Sequence, residues 1–158
     1  MTTLRHRPRS VALLRLGYRV AYRAMNAYAF FRRPTVRGVM CVVSDGRGRI
    51  LLVRHTYGDR RAWELPGGWV KRDEQPVQAA RREAFEELGA AIDDWRPLGA
   101  VEGLWHFKHE TLSFFAGGWP GGAARVDPVE IADVAWFDPA HPPGRLGVGT
   151  QAVLRSLS

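Results

Sequence analysis

The sequence predicts a mixed β-sheet carrying helices, of α/β or α+β class, preceded by an amphipathic helix. Three observations point there. Short apolar runs bounded by turn residues recur from Arg37 onward, one helical segment between Pro76 and Leu88 is marked at both ends, and a helical periodicity runs from Ser10 to Phe31. The chain has 158 residues, enough for one ordinary domain with an appendage and too few for two full cores. With 46% hydrophobic and 25% charged residues, it matches a soluble globular composition and excludes wholesale disorder, a collagen-like fibre and a membrane bundle.

The N-terminal segment holds most of the net charge. Through Ser44 there are nine arginines and no Asp or Glu, so this part is +9; the rest has 14 basic and 16 acidic residues, or −2, which together give the net +7. The high isoelectric point therefore describes an arm and does not make the body a nucleic-acid binder. Within the arm, Leu14, Tyr18, Ala21, Met25 and Tyr28 fall on one helical stripe while Arg15, Arg19 and Arg23, spaced by four, fall on another, and Pro34 closes the helix. The favoured reading is a helix packed on the domain or on a second subunit as a homodimer, with its arginines in water. Docking to an anionic membrane or to nucleic acid is the less favoured alternative. Arg15, Arg19 and Arg23 also interrupt what a secretory signal or a membrane span would need as an uncharged run, so a cytoplasmic protein is expected. The expected division is an arm over residues 1–34 and a folded domain over 35–158.

Strands are expected over Val39–Val43 and Ile50–Val53, joined by the turn Asp45-Gly46-Arg47-Gly48, and again over Leu98–Val101, Thr111–Ala116 and Ala135–Phe137. Gly117-Gly118 and Pro120-Gly121-Gly122 read as a loop, and the chain from Thr150 as a short final helix. Cys41 is the single cysteine; inside an apolar run it reads as a buried thiol. Pro66-Gly67-Gly68 breaks the chain before a helix that starts at Pro76, suited to a first turn, and stops at Gly89.

That helix carries the chemistry. Glu83 and Glu87 lie one turn apart on one face, with Glu86 beside them, so three carboxylates are expected to converge, with Arg82 the only adjacent cation. Their mutual repulsion needs an offset, and a divalent cation of hard-oxygen preference would supply one while leaving positions for substrate phosphates. On three glutamates alone, a solvated acidic face is the simpler reading.

The surrounding residues reverse that balance. Gly68, Glu74, Arg82, Glu83, Glu86, Glu87 and Gly89 stand in the spacing G-x5-E-x7-R-E-U-x-E-E-x-G-U, which resembles the Nudix box of the Nudix hydrolases; Ala84 and Ala90 fill the two loosely apolar positions. Trp63-Glu64-Leu65-Pro66-Gly67-Gly68 resembles the strand and loop that lead into the box, and Trp136-Phe137-Asp138-Pro139 a later strand of the family. The resemblance implies an α/β/α sandwich and hydrolysis, dependent on Mg²⁺ or Mn²⁺, of a nucleoside diphosphate linked to another group. It implies Glu83, Glu86 and Glu87 as metal ligands with the Gly67 carbonyl, Arg82 as an orienting partner of the carboxylates, and Glu74 as a tie between loop and helix. Gly67, Gly68 and Gly89 support the backbone. Glu130, six residues before Trp136, is a further candidate ligand or base, with Asp127 and Asp133 as weaker substitutes.

A pyrophosphate repels nucleophiles through its own negative oxygens, so cations must neutralise them and a base must take a proton from water; Glu86, Glu87 and Glu130 are the candidates. For the substrate, Trp105, His106, Phe107 and His109 offer rings and imidazoles, and Arg54, Arg60 and Arg61 offer cations. ADP-ribose or another nucleoside diphosphate sugar, and unmodified or oxidised nucleoside triphosphates, all stay open. The alternative is a Nudix-fold sensor that binds without turnover, or a hydrolase docked to RNA or membrane through the arm.

Overall fold

In the computed structural model, residues 8–157 are described, without the side chains of Pro8 and Arg9. Arg5 and Arg7 of the basic arm lie outside them. The central strand is β1 (Thr35–Ser44), whose alternation sends Val39, Cys41 and Val43 to one face and Met40 and Val42 to the other. It turns through Asp45-Gly46-Arg47-Gly48 into β2 (Ile50–His55). Asp45 organises that turn: its carboxylate accepts the Arg47 N–H at 2.9 Å and the Arg49 Nε–H at 2.7 Å. A three-residue strand β3 (Gly67–Trp69) pairs antiparallel with Gly38–Met40 of β1.

The helix α2 (Pro76–Leu88) follows. Its start is fixed by Pro76 and by the Gln78 side chain, which accepts the Gln75 N–H at 2.9 Å. Its end is fixed by Gly89 at φ +64°, a left-handed position where a Cβ would also meet Arg125 Cβ at 2.9 Å. Beyond it, β4 (Arg96–Trp105) and β5 (Lys108–Gly118) form a long hairpin, β6 (Ile131–Phe137) pairs with β2, and α3 (Val148–Ser156) ends the described chain. The sheet order is β4-β5-β1-β2-β6, with β1 and β5 parallel and the other pairs antiparallel. The sheet is thus mixed.

Two apolar clusters sit on its two faces. One holds Val39, Cys41 and Val43 against Ala80, Ala84 and Leu88 of α2; the other holds Ile50, Leu52 and Phe114 against Val153 of α3. The small residues at Ala79, Ala80 and Ala84 let α2 approach the sheet closely enough to bring its carboxylates to β3.

The N-terminal helix α1 (Pro8–Arg32) corrects two expectations. Arg15 and Arg19 are not left in water: Arg15 donates to the Pro128 carbonyl at 2.7 Å and Arg19 to the Thr56 carbonyl at 3.2 Å. The expected apolar stripe is not uniformly covered, since Leu14 and Tyr28 are more than half exposed, whereas Ala29 is fully buried. The face that meets the domain is set by the reach of arginine and tyrosine side chains to loop carbonyls and rings. Among the described residues no helix is long and apolar enough to cross a membrane.

Candidate active site

Gly67 and Gly68 lie under the acidic face of α2, and the packing shows why neither carries a side chain. A Cβ on Gly68 would stand 2.3 Å from Glu83 Oε1, and one on Gly67 would stand 2.1 Å from the Val39 carbonyl oxygen. Glu83 therefore rests directly on the strand backbone. One turn on, Glu87 is 3% exposed; its carboxylate accepts the Gly67 N–H at 3.0 Å and lies 3.2 Å from His55 Nε2. His55 Nδ1 is 3.4 Å from Glu64 on its other side. Burial by itself would lower the His55 pKa, but the two flanking carboxylates outweigh it and raise it to about 10. His55 is thus a protonated bridge between Glu64 and Glu87. Burial pushes the Glu83 and Glu87 carboxyls above their ordinary range, opposed at Glu83 by Arg82 and at Glu87 by His55.

Arg82 is the hub of the loop-helix junction. It grips Glu74 with two bonds of 2.9 Å, reaches Glu83 at 2.7 Å and Glu86 at 3.2 Å, and donates to the Trp69 carbonyl at 2.9 Å. Glu74 also accepts the Lys71 N–H at 3.0 Å, and the Arg82 bonds hold its pKa down at about 2. Glu86 is the most open of the three helix glutamates, with its side chain 55% exposed.

Glu130 stands just before β6 and reaches the same region. Its backbone carbonyl accepts the Thr56 N–H at 2.8 Å, its carboxylate accepts a short hydrogen bond from the Tyr18 hydroxyl of α1, and its charge is felt at Glu87. That hydrogen bond, above all, raises the Tyr18 pKa to about 12. Tyr18 and Tyr22 also pack on Tyr57, at ring separations of 5.9 and 5.5 Å, and Tyr57 packs on His55 at 5.0 Å. The first helix is therefore wired to the rim of the acidic site.

Beside Gly67 and Gly68 opens a cleft of about 310 Å³, bordered by Tyr22, Tyr57, Trp69, Trp105, Lys108 and Glu110 among others. Of the expected substrate residues, Trp105, the last residue of β4, and His106 line it. His106 and Phe107 make the tight β4–β5 turn, at φ +48° and +65°. Phe107 does not line the cleft; its ring meets Phe30 of α1 edge-on at 5.0 Å. Arg54 sits on β2, paired with Asp133 at 2.6 Å across β6 and stacked 4.8 Å from the Trp63 ring centre. Arg60 and Arg61 occupy the exposed turn after β2, and Asp127 accepts the Val129 N–H at 2.8 Å. His55, Tyr57, Lys108 and Glu110 were not anticipated. Nothing local in the sequence marks them; His55 and Glu64 become partners only because Val53 and Glu64 bridge two segments of chain.

The model of the NUDIX domain matches residues 34–156. The chain belongs to the NUDIX family. This NUDIX domain is 34% identical, over 100 residues, to the NAD-capped RNA hydrolase NudC of Mycobacterium tuberculosis, a match covering 63% of this chain and 31% of that protein. It thus spans about a third of the relative's length. It is also 34% identical over 110 residues to a Bacillus subtilis protein named "Putative 8-oxo-dGTP diphosphatase", covering 68% of this chain and 69% of that one. The crystal structure of a MutT NUDIX hydrolase from Burkholderia pseudomallei superposes with a TM-score of 0.72 at 27% identity, over 80% of this chain and all of the other. The mixed sheet with flanking helices is the NUDIX fold.

The family implies a divalent metal, and the donor set here suits one in kind: Glu83, Glu86 and Glu87 are hard oxygen donors, and the charges of Glu86 and Glu87 make Glu83 harder to ionise. The expected convergence is looser than the helix geometry suggested. Among the described residues no three acidic, histidine or cysteine side chains form a ready metal cage. The reason is visible in the bonding: Arg82 draws Glu83 and Glu86 to itself, while Glu87 turns inward to Gly67 and His55.

Proposed function

We propose that this NUDIX protein is a Mg²⁺- or Mn²⁺-dependent pyrophosphohydrolase that cleaves the diphosphate of a nucleoside diphosphate linked to a further moiety. The observation that supports it most is the seating of Glu83 and Glu87 on the Gly67-Gly68 backbone, beside an open cleft. Two of the relatives bear names, an NAD-capped RNA hydrolase and an 8-oxo-dGTP diphosphatase, whose substrates share a nucleoside carrying a phosphoric anhydride.

In this reading Glu83, Glu86 and Glu87, with the Gly67 carbonyl and Glu130, hold the metal. When bound it neutralises the anhydride oxygens and makes a coordinated water easier to deprotonate. Arg82, fixed by Glu74, holds Glu83 and Glu86 side by side at the loop-helix junction until a metal competes for them. His55 supplies a compensating positive charge behind Glu87 that favours its ionised form against the effect of burial. Glu86, open to solvent and held by a single 3.2 Å contact, would be only partly engaged by the metal and is the best-placed base. As water bonds to phosphorus and the bridging P–O bond breaks, Glu86 accepts the water's proton.

The test is anhydride cleavage of ADP-ribose, a nucleotide sugar and the nucleoside triphosphates with Mg²⁺. Turnover of at least one class, falling about 10²- to 10⁴-fold in Glu86→Gln, is expected. An intact protein that binds these compounds and cleaves none would make it a sensor.

A further inference from the structure

Lys108 and Glu110 lie two residues apart on β5, so their side chains share one face of the strand, and both border the cleft. Lys108 is 5% exposed, yet among the described residues its ammonium has no hydrogen bond and no ion pair; its neighbour is the Trp69 ring, 4.8 Å from the ring centre. With no protein acceptor among the described residues, the ammonium's donors are left for a ligand in the cleft that Lys108 borders. Glu110 is in the same position: partly buried, facing the cleft and without a hydrogen bond among the described residues. Its carboxylate lies over Gly38, where a Cβ would stand 2.7 Å from Glu110 Oε1, so the sheet has left space for this carboxylate. The two groups feel each other's charge but do not close into an ion pair.

From this arrangement we propose that Lys108, Glu110 and Trp69 form a nucleobase-reading subsite selective for a lactam edge, a ring carbonyl beside a ring N–H, as in guanine, hypoxanthine and uracil. Trp69 offers an aromatic face for a planar base. Lys108 has only donors to give and so pairs with the carbonyl; Glu110 in its carboxylate form has only acceptors and so pairs with the N–H. The amidine edge of adenine or cytosine presents an amino group beside an unprotonated ring nitrogen. With the base held in the same placement, that edge sets its amino group against the Lys108 ammonium and its bare ring nitrogen against the Glu110 carboxylate, donor against donor and acceptor against acceptor. The inference rests on the nucleoside-diphosphate reading of the adjacent site, but the subsite binds a base whether or not an anhydride is cleaved.

Binding therefore tests it separately from turnover. Tryptophan fluorescence titrations with GMP, UMP, AMP and CMP, which carry a base and a phosphate but no anhydride, are compared with relative kcat/KM on GTP, UTP, ATP and CTP. Lactam bases are expected to be preferred by at least about tenfold, and Glu110→Gln and Lys108→Met to bring the preference below about threefold while circular dichroism stays unchanged. Lactam-selective binding without any turnover would uphold the subsite and refute the hydrolase. Equal binding of all four bases, no binding of any, or a preference untouched in folded variants of both residues, would overturn the subsite.

Discussion

Glu74 is a carboxylate whose role is decided by its neighbours. Bonded twice by Arg82 and once by the Lys71 N–H, it ties the loop after β3 to α2 and stays ionised down to about pH 2. Because its folded pKa lies below the ordinary value of 4.5, its stabilisation is complete above pH 4.5 and is lost as the pH falls toward 2. Glu74→Gln should cost about 2 kcal/mol at neutral pH, a melting temperature lower by roughly 4–8 °C, and should flatten the acid limb of the stability profile. Thermal melts from pH 2 to 7 measure both effects. Gly68 makes a different case. Gly68→Ala should leave the fold intact, since Glu83 is a flexible neighbour that can swing aside, but should lower kcat/KM by about 10²-fold through its displacement. Paired melting and steady-state assays would show activity lost without stability. The identity of these residues was legible in the sequence because the box spacing fixes them. His55 was not, because a histidine between two carboxylates exists only once β2 and the segment before β3 are side by side.

Among the elements, α2 was legible at both ends: Pro76 and Gly89 act through local backbone chemistry that needs no tertiary context. The hairpin of β4 and β5 was less so. Its turn, His106-Phe107, uses positive φ at two non-glycine residues, and the strands run several residues beyond the apolar segments that announced them. Local propensity gave way there to pairing along the sheet. The first helix was legible as a helix but not as a neighbour of the active site, for its attachments are long-range bonds from Arg15, Arg19 and Tyr18 to loops more than 30 residues away. Since Tyr22 and Met25 border the cleft and Tyr18 holds Glu130, removing residues 1–33 should raise KM by about tenfold in a domain that remains folded. Steady-state kinetics with circular dichroism checks this, and an unchanged KM would make the helix an independent appendage.

At the scale of the molecule, the sheet acts as a partition. One face receives α2 and its glutamates; the other receives α3, and the short strand β3 lies where the acidic site and the cleft meet. The mixed topology follows from β1 being the common partner of β2, β3 and β5, which places Gly67 and Gly68 against the middle of the sheet. Strand order was beyond the sequence alone, since nothing in the composition of β1 and β5 specifies that they run parallel. The acidic face of α2, by contrast, has one physical rationale that unites its features: like charges, with Glu83 and Glu87 largely covered, set against a strand backbone that admits no side chain. The most direct test is a titration of Mn²⁺ followed by paramagnetic resonance of the free ion, on the intact protein and on Glu83→Gln and Glu87→Gln. The account predicts saturable binding weakened at least about tenfold in each variant. Binding equally strong in all three proteins, or none in the intact one even with nucleotide present, would contradict it.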